Sequence, residues 1–415
     1  MRLYYPHFLN IIFNIIGSII LLVIHMKGQK KRQRFFLHLS MTILVVSTCY
    51  MTGCIEDTSE KESSESTADT IVLLNQSLIL PDWSDGNYHD YQQTTQLITQ
   101  FNTDYPNLVE IFSIGKSING KDIWCVTLTN EQIQTEKHCC VIDGCIHGSE
   151  WESCEICLYL AEYLLINFER NHSVRSILNS SIIYLIPILN PDGREQNIRY
   201  NENGIDLNRN FAVHFGRILG GSIPLGNPLG FIKIPSIRRP LKGITLTNSG
   251  RRPFSEPETT ALKEFLDSLD RKTIGFYMNG HTALHFVGSV VNIKQNQEYQ
   301  ITSHQKTVIN TALSWCENHT EYASLPIGDY DYYGAGLAHH WVFKEYQIPS
   351  FLFELLSHEY EPGLTGGGYH DDLVYWMHES LPILLYLCYN IENLSHWSLP
   401  DNEPVLPDGI PPSQV

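Results

Sequence analysis

The sequence has little positive charge and no paired cysteine pattern. Of its 415 residues, 28 are Lys or Arg and 45 are Asp or Glu, so the formal net charge is −17 at pH 7. Contacts with phosphate need a basic face, and this balance therefore argues against nucleic acid as a partner. The ten cysteines are scattered and lack zinc-finger spacing. We interpret most of them as buried thiols, with one or two disulfides left open.

The first 54 residues are predicted to be a targeting segment rather than part of the fold. Basic residues between Lys27 and Arg34 precede an apolar run over 35–48 and the sequence Met51-Thr-Gly-Cys54. This order is typical of a secretory signal that starts at Met26. A membrane span over residues 8–24 is the alternative interpretation.

The end of this segment, Thr-Gly-Cys54, resembles a lipoprotein signal with Cys54 as the lipid-modified residue. Residues 56–70 are rich in Ser, Thr, Glu and Asp, a composition that predicts a disordered acidic tether, which we place over 55–81. We therefore expect the protein on the outer face of the cytoplasmic membrane, held by a lipid anchor or the N-terminal segment, or secreted.

Beyond residue 82, buried-type strand patterns alternate with helical patterns, and no internal repeat is visible. Strands are predicted at 108–114, 122–128, 139–146, 181–189, 274–279 and 350–356, and helices at 88–102, 151–168, 256–269, 302–316, 336–346 and 371–391. The alternation predicts one α/β domain over 82–395 with a mixed, mostly parallel sheet flanked by helices. Residues 212–254 are predicted to form a surface excursion, and 396–415 a C-terminal tail. We expect a monomer.

A possible metal site follows the apolar run at 141–146. His147-Gly-Ser-Glu150 presents an imidazole and a carboxylate three residues apart, and these ligand types suit Zn²⁺. His281 follows the predicted strand 274–279 and is the candidate third ligand, with His285 as a rival. The carboxyl ends of neighbouring parallel strands meet at one edge of a sheet, so these residues are expected to converge.

Two further features are consistent with chemistry at such a site. Glu354 lies in the apolar stretch Ser350-Phe-Leu-Phe-Glu-Leu-Leu356, where a carboxylate is costly unless it is functional or forms a buried ion pair. The segment 199–211 carries Asn208 and Arg209, which suit carboxylate binding. Asp206 in the same segment is a candidate to orient His147.

Taken in order, the motifs resemble the zinc carboxypeptidases of the A/B type over about residues 85–395. The motifs are His147-Gly-Ser-Glu150, Asn190-Pro-Asp-Gly193, Gly204-Ile-Asp-Leu-Asn-Arg-Asn-Phe211, His281 and Phe351-Leu-Phe-Glu-Leu355. The resemblance implies one zinc ion bound by His147, Glu150 and His281, and attack by zinc-bound water promoted by Glu354. The implied substrates are peptide or protein C-termini.

The same resemblance implies roles for the surrounding residues. Asn208 and Arg209 would hold the terminal carboxylate, and Arg199 would stabilise the oxyanion. Asp206 matches the partner of the first zinc histidine. The family's mobile tyrosine corresponds to Tyr332, with Tyr333 adjacent.

The position that selects the C-terminal residue in this family corresponds to His339. A histidine has no fixed negative charge for Lys or Arg, which predicts a preference for neutral ends, with Glu or Asp ends gaining as the pH falls. Asp329 and Asp331 nearby leave an acidic pocket as an alternative. A zinc amidase or cell-wall peptide hydrolase of the same fold, and a non-catalytic peptide-binding relative, are the competing functions.

Overall fold

The computed structural model describes residues 79–83, 88–215, 221–225, 230–234, 248–282, 284–290, 301–327, 335–355 and 373–399. All of them belong to one unit, Val72–Val415. The predicted signal segment, the tether up to residue 78 and most of the predicted tail lie outside the described residues, as do Cys54, Asp329, Asp331, Tyr332 and Tyr333.

Strands and helices alternate along the described chain. The strands are β1 Val109–Lys116, β2 Asp122–Leu128, β3 His138–Asp143, β4 Ser181–Ile186, β5 Gly221–Leu225, β6 Gly230–Ile234, β7 Ile274–Thr282, β8 Phe286–Ser289, β9 Ala323–Leu325 and β10 Ser350–Leu355. The helices are α1 Tyr91–Asp104, α2 Glu152–Asn167, α3 His172–Ser180, α4 Pro191–Gln196, α5 Pro257–Ser268, α6 Ser303–His319, α7 Ala338–Tyr346, α8 Leu373–Tyr389 and α9 Ile391–Ser395. A 3-10 turn covers Leu207–Arg209.

Eight strands form one sheet in the order β1-β2-β4-β3-β7-β10-β8-β9, and β5 pairs with β6 in a separate hairpin. The central strands β4, β3, β7 and β10 are mutually parallel, and β8 and β9 are also parallel to each other. The remaining pairings in this sheet are antiparallel. The predicted mixed, mostly parallel sheet is confirmed, and the carboxyl ends of β3, β7 and β10 lie at one edge.

Helices cover both faces of the central strand β7, whose residues are buried up to His281. A Cβ at Gly275 would lie 2.2 Å from the carbonyl oxygen of Ile391, and one at Gly280 would lie 3.2 Å from Cβ of Ser153. Residues five apart in a strand point to opposite faces. Helix α9 therefore packs on one face and α2 on the other, which explains the apolar sequence of the first half of β7, Ile274–Met278.

Several local predictions need correction. The strand predicted at 181–189 ends at Ile186, and Asn190-Pro-Asp-Gly193 then begins helix α4, where the Asn190 side chain accepts from the amide of Gly193 at 3.0 Å. His281 was expected just after a strand, but it lies within β7. The pattern of the short helix α3 was missed, although Val174, Ile177 and Leu178 are buried at helical spacing. Strands β8 and β9 were also missed.

The cysteines of the described chain form no disulfide. Eight of them are buried free thiols, namely Cys125, Cys139, Cys140, Cys145, Cys154, Cys157, Cys316 and Cys388. Most cysteines were interpreted as buried thiols, and this part is confirmed. Burial raises the pKa of Cys139 to about 12, which makes it a poor nucleophile.

Candidate metal centre and active site

The segment that follows β3 carries two of the three predicted ligands. Gly144 lies so close to α2 that a Cβ would sit 2.1 Å from the carbonyl oxygen of Ser153. Cys145 then adopts a φ of 46°, in the left-handed region. This sharp turn brings His147 and Glu150 to the edge where β7 ends. The third ligand, His281, lies on β7, the strand next to β3.

The three ligand side chains converge on one point. Nδ1 of His147 lies 3.1 Å from Nδ1 of His281. The two carboxylate oxygens of Glu150 lie 2.7 Å from these two nitrogens, one on each. Within the described residues this is the one group of three His, Cys, Asp or Glu side chains with ligand atoms close enough to hold a metal ion.

The donor set fits a zinc ion. Two ring nitrogens that face each other across 3.1 Å repel unless a proton or a cation lies between them. Donors at about 2.1 Å from a tetrahedral zinc ion are about 3.4 Å apart, so outward movements of less than about 1 Å accommodate the ion. Burial raises the pKa of Glu150, but His147 and His281 hold it well below its usual range. A carboxylate is thus available as the third ligand.

The other ring nitrogen of each histidine is held by a polar side chain. Nε2 of His147 lies 3.0 Å from Oδ1 of the buried Asp206, as the sequence predicted. Nε2 of His281 lies 2.6 Å from Oδ1 of Asn279 and 2.8 Å from Nδ2 of Asn208. Contacts with an acceptor oxygen, such as those of Asp206 and Asn279, fix the ring orientation and raise the metal affinity of a histidine.

Asp206 also connects the ligands to Arg199. Nε of Arg199 donates to Oδ2 of Asp206 at 3.0 Å, and Nη1 donates to Oε1 of Glu150 at 3.3 Å. The Arg199 side chain is 33% exposed, so part of the guanidinium faces solvent beside the ligands. Burial raises the pKa of Asp206, but His147 and the nearby arginines hold it well below its usual range.

Asn208 and Arg209 lie on the 3-10 turn that Asp206 begins. The Asp206 side chain accepts from the amide of Asn208 at 3.1 Å. Oδ1 of Asn208 accepts from the amide of Ala338, the first residue of α7, at 2.8 Å. Nη1 of Arg209 donates to the carbonyl oxygen of Asn208 at 2.7 Å. The turn is therefore held against helix α7, with Asn208 beside the ligand His281.

Glu354 lies on β10, where it pairs with His281 of β7. Its side chain is partly exposed, whereas the sequence indicated a fully buried position. Burial raises its pKa to about 6, with a further increase from Glu150 and a decrease from His281. A carboxyl group with a pKa near neutrality, at the rim of the ligand group, is suited to accept a proton during catalysis.

His339 lies in the first turn of α7 and is 1% exposed. Its Nδ1 has no hydrogen-bond partner among the described residues. Burial lowers its pKa well below the usual value, and the nearby His281 and Arg209 lower it further. His339 is therefore a neutral group close to the proposed carboxylate clamp.

The rival ligand His285 does not join the metal ligands. Its ring packs 4.4 Å from Tyr322 and 5.4 Å from Trp376, measured between ring centroids. Sequence reasoning also missed Asn279. The period of two along a strand places Asn279 on the same face as His281, and this was the signal that could have found it.

A profile of the zinc carboxypeptidase family matches residues 94–363, which is more than half of the chain. The chain belongs to the zinc carboxypeptidase family. The predicted family is thereby confirmed, and membership implies zinc for the His-Glu-His group.

The sequence is similar to two named relatives over parts of their length. It is 32% identical to the zinc carboxypeptidase of Saccharothrix mutabilis subsp. capreolus over 144 residues, 31% of this chain and 33% of that protein. It is 30% identical to carboxypeptidase D of Homo sapiens over 198 residues, 42% of this chain and 14% of that protein. The matches thus span a third or less of these relatives.

Solved structures show the same fold at low sequence identity. Thrombin activatable fibrinolysis inhibitor matches with a TM-score of 0.58 at 21% identity, over 74% of this chain and 75% of that one. The carboxypeptidase A of Helicoverpa armigera matches with a TM-score of 0.54 at 17% identity, over 73% and 74%. Among the described helices, none has the length and apolar content needed to cross a membrane.

Proposed function

We propose that this chain is a zinc-dependent carboxypeptidase that removes C-terminal residues from peptides or proteins. The observation that carries the proposal is the convergence of His147, Glu150 and His281, with Glu354 on the strand beside His281. Family membership supports the metal and the class of chemistry.

The ligand group and Glu354 supply the two halves of a hydrolytic reaction. His147, Glu150 and His281 would hold the zinc ion, which would supply Lewis-acid chemistry for the activation of a carbonyl and of water. The carboxylate of Glu354 takes the proton from the attacking water and delivers it to the leaving amine. Its pKa of about 6 allows it to be ionised at neutral pH and still to act as an acid in the second half of the reaction.

The cationic residues around the ligands bind and orient the substrate. We infer that Arg209 and Asn208 bind the free α-carboxylate, because an arginine fork and an amide are both donors to carboxylate oxygens. Arg199, whose Nη1 lies 3.3 Å from Glu150, is placed to stabilise negative charge that develops beside the ligands. We assign Tyr332, outside the described residues, to substrate contact on the family resemblance alone.

The experiment that tests this function compares two peptides that differ only at the C-terminus, one a free acid and the other an amide. We expect zinc-loaded protein to trim the acid one residue at a time, as followed by mass spectrometry, and to leave the amide intact. Arg209→Gln should lower kcat/KM on the acid by about 10- to 100-fold, since a charged hydrogen bond is lost.

A matched control is Arg271→Gln, which removes a half-exposed arginine paired with Asp267 and Glu345. It should leave kcat/KM unchanged. Equal cleavage of the acid and the amide would overturn the proposal. Cleavage restricted to acylated amino acids or cell-wall peptides would identify an amidase, and binding without turnover would identify a peptide-binding relative.

We further infer from the sequence that the mature protein begins at a lipid-modified Cys54 and acts outside the cytoplasmic membrane. The support is the Met51-Thr-Gly-Cys54 end of the signal and the acidic composition of 56–70. We also expect the protein to act as a monomer.

A further inference from the structure

A fully buried carboxylate lies behind the metal ligands, and within the described part of the chain its side chain hydrogen-bonds to Tyr277 and Asn279 rather than to a ligand. Asp143, the last residue of β3, is 0% exposed. Its Oδ2 accepts a short hydrogen bond from the hydroxyl of Tyr277. Its Oδ1 accepts from Nδ2 of Asn279 at 2.5 Å. The family motifs in the sequence assign no role to this carboxylate.

The contact with Asp143 determines which way the Asn279 amide points. An ionised carboxylate only accepts hydrogen bonds, so it must face the NH₂ group of Asn279. The amide oxygen then faces the other way, and it lies 2.6 Å from Nε2 of His281. An amide oxygen is only an acceptor. Nε2 of His281 must therefore carry a proton. In the neutral ring, the form that binds a metal, this leaves the lone pair on Nδ1, the atom that faces the other ligands.

A second amide makes the opposite demand on the same nitrogen. Oδ1 of Asn208 accepts from the amide of Ala338, so Nδ2 faces Nε2 of His281 at 2.8 Å. A protonated Nε2 cannot accept from it. The Asn279 contact is shorter and is oriented by a charged group, whereas Asn208 is oriented by a neutral amide, and charged hydrogen bonds are the stronger ones. Asn208 thus keeps its NH₂ hydrogens for another acceptor, such as a substrate carboxylate.

We propose that Asp143 is a positioning residue that, through Asn279, holds His281 in the tautomer with a proton on Nε2 and a free lone pair on Nδ1 for zinc. The inference rests on the proposed zinc site. It adds a determinant of metal affinity two hydrogen bonds away from the ligand His281. It also explains why a buried carboxylate, which is costly in an apolar interior, is placed at the end of a central strand.

The test measures zinc affinity of the purified full-length chain by competition with a chelator at pH 8, above the pKa of about 7 to which burial raises Asp143. Asp143→Asn has the same shape but offers a donor as well as an acceptor, so the Asn279 amide loses its fixed orientation. We expect zinc affinity to fall by about tenfold or more.

A double variant separates the tautomer from packing. In Asp143→Asn combined with Asn279→Asp, the new carboxylate at position 279 accepts from the amide at position 143 and from Nε2 of His281. The partners are exchanged and every hydrogen bond is kept. We expect the double variant to recover at least to within about threefold of the wild-type affinity, whereas a role in packing alone predicts the second substitution to add to the loss.

Asp192→Asn is the matched control, because Asp192 is also 0% exposed and accepts from a backbone amide, that of Asn119 at 3.0 Å. It should bind zinc as the wild type does. Long-range ¹H–¹⁵N NMR of the zinc-loaded protein adds a direct readout, and the proton of His281 should be on Nε2 in the wild type and in the double variant.

The possible outcomes are distinct. A wild-type chain that binds no stoichiometric zinc would refute the proposed metal site itself. Tight zinc binding by the wild type together with unchanged affinity in Asp143→Asn, or without recovery in the double variant, would overturn only the role of Asp143.

Discussion

Oδ1 of Asp206 lies 3.0 Å from Nε2 of His147, on the side of the ring opposite the other ligands. The carboxylate orients the imidazole and increases its basicity as a ligand. We expect Asp206→Asn to lower zinc affinity by about 10- to 100-fold, measured by chelator competition, without loss of the fold. His147→Ala should abolish stoichiometric zinc binding.

The control for Asp206 is Asp267→Asn, an acid on α5 with 37% of its side chain exposed. It should leave zinc affinity unchanged. Oδ2 of Asp206 also accepts from Arg199. If Asp206→Asn has normal zinc affinity but reduced activity, the role of Asp206 is to orient Arg199 rather than His147.

The C-terminal residue removed by the protein should be neutral. His339 is buried, and its pKa is well below the usual value, so it offers no charge to either kind of ionised side chain. We expect peptides ending in Phe or Leu to have higher kcat/KM than otherwise identical peptides ending in Lys, Arg or Glu. The lowered pKa changes one expectation from the sequence, because the Glu end should show no gain down to about pH 6.

A panel of such peptides, compared at about pH 6 and pH 8, measures this preference. A tenfold higher kcat/KM for Lys or Arg ends, about 1.4 kcal/mol of discrimination, would contradict the assignment of His339 as the specificity residue. It would point instead to an acidic group such as Asp329 or Asp331.

Stability should decrease as the pH rises through neutrality. Burial raises the pKa of Glu258 to about 7, with a smaller increase from Asp192, so the folded state binds a proton more tightly than the unfolded chain does. Its contribution is fully present below the unfolded pKa of about 4.3 and is lost as the pH rises through about 7. Glu258→Gln should reduce the slope of the unfolding free energy by up to about 1.4 kcal/mol per pH unit.

Urea denaturation at a series of pH values between about 5 and 8 measures this slope. Glu264→Gln is the matched control, since Glu264 is exposed on the same helix α5. Equal slopes for Glu258→Gln and the wild type would show that Glu258 does not titrate in this range. Asp143 and Glu152, whose pKa values burial also raises to about 7, account for a residual slope in Glu258→Gln.

The mature N-terminus should be a lipid-modified Cys54. Intact-mass spectrometry of the native protein extracted from membranes measures the modification directly. A single acyl chain binds only marginally, so firm anchoring requires a second chain. Cys54→Ser should release the protein from the membrane fraction, and an equally membrane-bound variant or an unmodified N-terminus upstream would contradict the prediction.

The parts of the fold that the sequence predicted well are those with strong local patterns. Strand β2 was predicted with its observed ends, and the long apolar helix α2 within one residue of each end. The continuous apolar runs of β3 and β10 are likewise the sequence pattern of strands covered on both faces. The short strands β8 and β9 were missed, because their order depends on pairing with β10 and with each other rather than on their own residues.

The metal ligands could be predicted from the sequence because a His-x-x-Glu pair and a third His form a recognisable ligand set. The side chains that hold the ligands in place could not be predicted. Asn279 and Asp143 carry no motif in the sequence, and their relationship appears only when β3 and β7 pair in register, Asp143 opposite Asn279. The contact of Asn208 with both His281 and α7 likewise depends on elements 73 and 130 residues away in the chain. Such tertiary contacts have no local pattern to read.

The most direct measurement of the central claim is the zinc content and kcat of Glu354→Gln, side by side with the wild type and with Glu264→Gln, an exposed glutamate substituted in the same way. Glutamine keeps the size of the side chain but cannot take a proton from water. We predict one zinc ion per chain in all three proteins, and a kcat on a free-acid peptide that is about 100- to 10,000-fold lower in Glu354→Gln alone. A zinc-replete Glu354→Gln variant that retains most of the wild-type kcat would contradict the account.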